Sequence, residues 1–195
     1  MDITPRQIEI IEAAGKILTA SGVSGLTIKN LAKEMQFSES AIYRHFASKE
    51  DIIVVMLNYL ADDINKRLSN LTILSDPEEQ FKSLFREQFR FFSDNPHFVV
   101  AVFSDGLMEE SQLINQSILK LMNVKIKHLM PIIMDGQQKG VFTNAITTDE
   151  LMHIIMGTFK LQMFKWRIAN FEYNIKRNGD NMVQSLLTLI KNKKL

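Results

Sequence analysis

Apolar residues recur three and four positions apart along most of the chain, which is the spacing of one buried helix face. In the first predicted helix this stripe consists of Ile10, Ile11, Ala14, Ile17 and Leu18. The β-branched run from Ile52 to Val55 is also compatible with a strand, but helical spacing continues beyond it to Leu68. The pattern therefore predicts an all-α chain.

Cap residues indicate where several of these helices begin. Thr4 is followed three positions later by Gln7, which is the pattern of a capping box, and Thr147 and Glu150 repeat it. The final helix is expected to begin near Asp180 and to run to Lys191.

Residues 27–49 predict two short helices that meet at a tight corner. Thr27 is the expected N-cap of the first, whose buried stripe is Ile28, Leu31, Ala32 and Met35. Ser38 is the expected N-cap of the second, which turns Ala41, Ile42 and Phe46 inward and leaves Glu39, Ser40, Tyr43 and Arg44 outside. A helix of two turns with short polar side chains at its start fits a DNA major groove. The stretch therefore predicts a helix-turn-helix.

The order of residue types in this stretch resembles the DNA-binding signature of the TetR/AcrR family of transcriptional regulators. The resemblance is carried by Thr27, Leu31, Ala32, Ser38, the run from Ala41 to Phe46, Lys49 and Glu50. It covers residues 5–55, and the rest of the chain matches the family in length and helical pattern. Many members have glycine at the corner, where this chain has Gln36, a residue that is strained if the corner requires a positive φ.

The resemblance implies an N-terminal three-helix domain that binds DNA and a larger helical domain for effector binding and dimerisation. We place the helix-turn-helix domain at residues 1–49 and the second domain at residues 50–195, with the boundary within the fourth helix.

Nine side chains are candidates for DNA contact. We expect Ser38, Glu39, Ser40 and Ala41 near base edges and Thr27, Tyr43, His45 and Lys49 near phosphates, following donors at helix N-termini and the resemblance. Arg44 is suited either to guanine or to a phosphate. The alternative is that Tyr43 and His45 only pack within a three-helix bundle.

The charge of this stretch is modest. The chain has a net charge of +1, and residues 27–49 carry four cations (Lys29, Lys33, Arg44 and Lys49) against two acids (Glu34 and Glu39), or 4 − 2 = +2. Since phosphate neutralisation supplies much of the affinity for DNA, a single copy is expected to bind weakly. The DNA-binding hypothesis therefore requires a homodimer.

The predicted helix after Thr147 has two apolar faces on nearly opposite sides, and such a helix must be buried on both. One face contains Met152, Ile155, Met156, Phe159, Met163 and Trp166, and the other contains Ile154, Gly157, Leu161, Phe164 and Ile168. The final helix adds Val183, Leu186, Leu187 and Ile190. The resemblance implies that two such helices from each subunit form a four-helix interface, so the second face and the final-helix residues are the predicted dimer interface.

The predicted ligand-binding residues are mostly apolar, in a chain with thirteen Phe and eleven Met. The apolar candidates are Phe85, Phe89, Phe103, Met130, Met156, Phe159, Met163 and Trp166. Any single one of them is better explained as ordinary core, and the case for a pocket depends on polar residues within the apolar stripes. Gln88 and Lys125 lie inside apolar stripes and are candidates for orienting a ligand, although a lysine at a helix edge also extends to solvent.

Other classes of function find little support in the sequence. The chain has no cysteine, and it lacks a nucleophile motif, a glycine-rich phosphate loop and a second carboxylate–histidine pair beside Glu150 and His153. We expect no enzyme activity, cofactor or metal. Neither a signal peptide nor an 18-residue apolar run is found, which predicts a cytoplasmic protein away from the membrane.

These observations favour a homodimeric transcriptional regulator, and we expect a repressor, that binds a palindromic operator in double-stranded DNA and responds to an unknown apolar small-molecule effector. The alternative is a ligand-independent DNA-binding protein of architectural or partner-recruiting function.

Overall fold

A computed structural model of the protein describes residues 3–103 and 111–192. In these ranges the chain forms α1 (Pro5–Gly25), α2 (Ile28–Met35), α3 (Glu39–Tyr43), α4 (Lys49–Ser69), α5 (Pro77–Asp94), α6 (Pro96–Val102), α7 (Gln112–Gln138), α8 (Thr148–Ile168) and α9 (Ile175–Ile190). The described residues contain no β-strand, and one isolated antiparallel bridge joins Phe142 to Lys191. The all-α prediction is confirmed, and the β-branched run lies inside α4.

Local hydrogen bonds at the helix starts explain why several helices begin where they do. Both predicted capping boxes are present, Thr4 with Gln7 before α1 and Thr147 with Glu150 before α8. In each, the threonine hydroxyl accepts from a backbone N–H of the first turn while the longer side chain accepts from the threonine N–H. These bonds satisfy donors that have no partner within the helix.

The last helix begins earlier than predicted. It starts at Ile175 rather than near Asp180, because Asn174 provides the N-cap: its side-chain oxygen accepts from the N–H of Arg177 at 3.0 Å. The sequence pattern missed this start because the first turn after Asn174 is largely polar.

The first of two compact units comprises Met1–Asp63 and Asn95–Leu121. In this unit α1 packs on α2 and α6, and α2 packs on α3. Gly15 of α1 faces the ring of His97 on α6, where a Cβ would lie 2.6 Å from a ring carbon. Glycine therefore allows α6 to lie close against α1, and the burial of His97 lowers the pKa of its imidazole.

The second unit comprises Ile64–Asp94 and Met122–Leu195. Here α9 packs on α5 and on α8. The core of this unit is rich in fully buried aromatic rings, namely Phe81, Phe85, Phe89, Phe92, Phe142 and Phe159. A Cβ on Gly179 of α9 would lie 2.3 Å from a carbon of the Phe89 ring, so this glycine permits the close packing of α9 on α5.

The two compact units do not coincide with the predicted domains. The units divide α4 between residues 63 and 64, and the first unit also contains α6 and the first part of α7. They are defined by packing alone. The division into a DNA-binding domain of residues 1–49 and an effector domain of residues 50–195 stays a prediction about function.

Candidate DNA-binding surface and ligand site

The corner between α2 and α3 is built from short-range hydrogen bonds. The hydroxyl of Thr27 accepts from the N–H of Asn30 at 3.1 Å and caps α2. Gln36 ends that helix in the left-handed region, with φ 56° and ψ 40°. The N–H of Phe37 then donates to the carbonyl of Ala32 at 2.8 Å, which closes the corner. The corner therefore does require a positive φ, and Gln36 bears a strain that glycine would avoid.

Helix α3 presents its polar side chains to solvent. The hydroxyl of Ser38 accepts from the N–H of Ala41 at 3.2 Å and lies 2.9 Å from the hydroxyl of Ser40. Ile42 and Phe46 are buried behind the helix. The side chains on the other side are exposed, as the sequence pattern predicted: Ser38, Glu39, Ser40, Tyr43 and Arg44. The start of α3 therefore displays serine hydroxyls and a carboxylate, which are groups that form hydrogen bonds with base edges.

The remaining DNA-contact candidates surround this helix in the first unit. Thr27 is exposed, while Ala41, His45 and Lys49 are half-buried. Tyr43 is 52% exposed, which does not fit a role in packing alone. The packing alternative is stronger for His45, which is half-buried.

An aromatic cluster lies in the core of the second unit. The Phe159 ring of α8 lies 5.8, 5.4 and 6.3 Å, centroid to centroid, from the rings of Phe85, Phe89 and Phe92 on α5. Their tilted arrangements are those that aromatic pairs prefer. We call these four rings the phenylalanine cluster. Of the predicted ligand-binding residues, the structure brings together Phe85, Phe89 and Phe159 here.

Two polar side chains are buried beside the phenylalanine cluster. The ammonium nitrogen of Lys125 on α7 lies 3.6 Å from the centroid of Phe159 and 5.5 Å from that of Phe92, close enough for cation–π attraction. Burial lowers the pKa of Lys125 to about 7. Gln88 of α5 is 3% exposed, and among the described residues its side-chain carbonyl oxygen has no hydrogen-bond partner. The sequence left open whether Lys125 extends to solvent, and the structure places it inside.

The other predicted ligand-binding residues have different surroundings. Trp166 is buried, packs edge-on against Phe171, and donates from its indole nitrogen to the carbonyl of Tyr173 at 2.9 Å. Its position is thus explained by the loop after α8. Met163 is buried, and Met130 and Met156 are half-buried in the second unit, whereas Phe103 is buried in the first unit.

One face of α8 is apolar and exposed. Ile154, Leu161 and Ile168 are 46%, 58% and 65% exposed, and Phe164 is half-buried. Gly157 lies on the same face, and a Cβ there would meet nothing within 4 Å. The inward face of this helix carries the buried Ile155, Phe159, Met163 and Trp166, so the two faces predicted from the sequence are both present.

The predicted interface residues of α9 are placed differently. Val183, Leu186, Leu187 and Ile190 are at most 3% exposed, because this stripe of α9 packs against α5 and α8. They have no surface to offer a second subunit. The exposed side of α9 instead carries Asn181, Ser185 and Leu189, which border a groove of about 460 Å³ next to Ile154 of α8.

Other kinds of site find no support in the described ranges. Residues 3–103 and 111–192 contain no group of three or more histidine, aspartate and glutamate side chains placed to hold a metal. None of the described helices is both long and apolar enough to span a bilayer.

Two family models match the chain. Residues 10–56 match the model described as bacterial regulatory proteins, tetR family, and residues 77–167 match the model described as tetracyclin repressor-like, C-terminal domain. The chain belongs to the TetR family. The first match contains the whole α2–α3 corner, and the second contains the phenylalanine cluster and all of α8 except its last residue.

Relatives of this TetR-family protein include the HTH-type transcriptional repressor NicS of Pseudomonas putida, 27% identical over 70% of this chain and 66% of that protein. The nucleoid occlusion factor SlmA of Vibrio campbellii is 24% identical over 96% of this chain and 97% of that protein. The solved structure of the transcriptional regulator FadR from Bacillus subtilis in complex with stearoyl-CoA has the same fold, with a TM-score of 0.80 and 17% identity, covering 93% of this chain and 97% of that one.

The TetR-family protein is thus a DNA-binding transcriptional regulator, in a family of regulators rather than enzymes. Sequence reasoning missed one residue that positions its DNA-binding surface. The side-chain amide of Gln7 on α1 donates to the carbonyl of His45 at 3.2 Å, and so connects α1 to the end of α3. No local pattern signals this bond, because the two residues are 38 positions apart.

Proposed function

We propose that the protein is a homodimeric transcriptional repressor that binds a palindromic operator through α3 and releases it when an apolar small molecule binds in the second unit. The observation that carries the proposal is the exposed polar face of α3, in which Ser38, Tyr43 and Arg44 face solvent while Ile42 anchors the helix. A recognition helix of this kind inserts its N-terminal side chains into the major groove.

The proposed homodimer rests on the outward face of α8. Contiguous exposed apolar side chains are typical of interaction surfaces, and Ile154, Leu161 and Ile168 form such a row. Gly157 supports the same conclusion, because a glycine inside a helix costs about 1 kcal/mol relative to alanine and no neighbour in the described part of the chain requires it. A second helix could approach closely at that position. The predicted interface then consists of Ile154, Gly157, Leu161, Phe164 and Ile168, without the buried stripe of α9.

The proposed effector rests on the phenylalanine cluster with its buried polar neighbours, since a ligand site is mostly apolar with few polar groups. The relative with the same fold supports it, because FadR of Bacillus subtilis was solved in complex with stearoyl-CoA.

Footprinting tests the DNA-binding part of the proposal. With DNA upstream of the protein's own gene and with fragments selected from random sequence, we expect a protected palindrome whose half-sites are about 34 Å apart. Arg44→Ala should weaken binding at least roughly tenfold, because each half-site loses a charged contact worth about 1–3 kcal/mol. The matched control is Lys160→Ala, which removes an exposed cation of α8. Equal loss in both variants, or no protected site, would contradict the proposal.

Sedimentation tests the homodimer. The wild-type protein should sediment as a dimer at micromolar concentration, and Leu161→Glu should shift it to a monomer by placing a charge in the apolar row. Ile73→Glu is the control, since Ile73 is apolar and exposed on the loop before α5 and should leave the dimer intact. A wild-type protein that sediments as a monomer at this concentration would contradict the dimer proposal.

The resemblance to SlmA, named a nucleoid occlusion factor, favours a second candidate: a DNA-binding protein that recruits partners without a small effector. A thermal-shift screen of apolar compounds separates the two. Compounds that raise the melting temperature and release DNA support the effector-responsive repressor, whereas DNA binding that no compound alters supports the second candidate.

A further inference from the structure

Two polar groups converge on one ring of the phenylalanine cluster. Gln88 and Phe92 are four residues apart on α5, which places them one turn apart on the same face. The ammonium of Lys125 reaches the same region from α7, 5.5 Å from the centroid of Phe92 and 3.6 Å from that of Phe159. The Phe92 ring therefore has the ammonium of Lys125 within 5.5 Å of its centroid and Gln88 one turn away on its own helix.

Packing alone does not explain either group. Methionine has nearly the length of lysine and would fill the space of Lys125 without a buried charge. Within residues 3–103 and 111–192 the buried carbonyl oxygen of Gln88 has no hydrogen-bond partner, which is an unfavourable state that native cores mostly avoid. A buried polar group of this kind is suited to a bound molecule.

We propose that Lys125 and Gln88 form the polar end of the effector site and select a monocarboxylic acid whose apolar body packs among the rings of the phenylalanine cluster. This inference rests on the proposed function, and it names the chemical class of the effector. The carboxylate accepts from the ammonium of Lys125, which leaves the face of Phe159. The NH₂ group of Gln88 donates to the second carboxylate oxygen.

The chemistry of the site favours an acid over a neutral isostere. A hydrogen bond between an ammonium and a carboxylate is roughly twice as strong as a neutral one, and a low-dielectric core strengthens it further. Burial lowers the pKa of Lys125, and a bound carboxylate restores the charged form. A primary amide of the same shape offers the ammonium only a neutral carbonyl oxygen.

The half-buried methionines of this unit give the core room to adapt. Met130 lies on α7 with Lys125, and Met156 lies on α8 one turn before Phe159. Methionine side chains repack easily because they are unbranched and flexible. Flexible side chains on α7 and α8 therefore favour repacking of these helices around an inserted acyl or aryl group.

The test compares acids with their primary amides. Octanoate, dodecanoate and 4-butylbenzoate, each paired with its amide, are titrated into the full-length wild-type protein and followed by the melting temperature and by the fluorescence of Trp166, the single tryptophan. We expect at least one acid to raise the melting temperature by several degrees and to bind at least tenfold more tightly than its amide.

Three variants identify the residues responsible. Lys125→Met should bind acid and amide equally and should fold, because it removes a buried charge. Gln88→Leu should lower the preference for the acid by a smaller factor. Lys160→Met, next to Phe159 in sequence but exposed, is the matched control and should retain the preference.

Each outcome decides the inference. An acid preference that survives in Lys125→Met, amides that bind as well as acids, or no binding in either series would overturn it. The proposed function is judged separately, since footprinting needs no ligand. If other apolar compounds release the operator while all three acids fail, the repressor proposal stands and this inference falls.

Discussion

The α2–α3 corner and the phenylalanine cluster are built by opposite means. At the corner most of the candidate functional side chains are exposed, and residues nearby in sequence fix their positions: Ser38 accepts from Ala41 and Thr27 accepts from Asn30. In the cluster the candidates are buried, and they contact residues far away in the chain, such as Lys125 with Phe159.

At the α2–α3 corner, a substitution can change function with little effect on stability. In the phenylalanine cluster, a substitution changes both. A substitution on the exposed face of α3 removes a DNA contact and leaves the core unchanged. A substitution in the cluster changes the packing of α5, α7 and α8 together with any ligand they bind. Effects on stability should therefore be large in the second unit and small at the corner.

Phe159→Ala should have the largest effect on stability of the substitutions considered, and it tests whether the cluster is tightly packed. The ring is 1% exposed and contacts three other phenylalanines, so its removal leaves a cavity and should lower the free energy of unfolding by about 3–5 kcal/mol. Urea denaturation measures the loss. Ile73→Ala is the control, because that side chain is 91% exposed and should change stability by less than about 0.5 kcal/mol. A loss below about 1 kcal/mol for Phe159→Ala would show that the cluster is loosely packed.

Lys125→Met should stabilise the protein, and by an amount that depends on pH. The pKa of Lys125 is lowered from 10.5 to about 7 in the folded state, so between these values the unfolded chain binds more protons and wild-type stability rises with pH. Below pH 7 the burial penalty is present in full. The gain in the variant should be on the order of a few kcal/mol at pH 6 and should shrink by pH 9.

Other groups titrate outside this window or are compensated. The pKa of His97 and of His128 is lowered from 6.5 by burial, and that of Tyr173 is raised above 10 by burial. On the packed helices, Glu87 of α5 pairs with Arg67 and Arg90, and Lys160 of α8 is exposed. Denaturation curves at pH 6 and pH 9 test the prediction, and a gain that does not change with pH would contradict it.

Ser38→Ala and Thr147→Ala form a matched pair of cap substitutions. Each removes a hydroxyl that accepts from a backbone N–H in the first turn of a helix, so each should cost about 1 kcal/mol of stability. Only Ser38→Ala should also weaken operator binding in a gel-shift titration. If Thr147→Ala weakens it equally, the effect of Ser38 comes from stability and not from DNA contact.

Gln36→Gly should have the smallest effect, a gain of about 0.5 kcal/mol. Glycine relieves the left-handed strain of the corner, although its greater freedom in the unfolded chain offsets part of the benefit. Thermal denaturation measures the change, and operator affinity should stay the same because the backbone already has the required conformation. A decrease in stability would mean that the side chain of Gln36 contributes contacts that outweigh the strain.

The sequence determined features that depend on three or four neighbouring residues. Thr4, Thr27, Ser38 and Thr147 cap the helices for which they were predicted, and α8 has the two apolar faces that its periodicity indicated. These features were predictable because a cap bond closes within one turn and a helix face repeats at a fixed angle.

Only the tertiary structure decided which apolar stripes are covered and where the buried polar groups lie. Periodicity assigned Val183 and Leu187 of α9 to an interface, but α5 and α8 cover them, and Lys125 was equally compatible with solvent until Phe92 and Phe159 enclosed it. The pattern of an apolar stripe shows only that this face of the helix must be buried away from water. Which surface covers it depends on how the whole chain packs, and that information is not contained in any one helix.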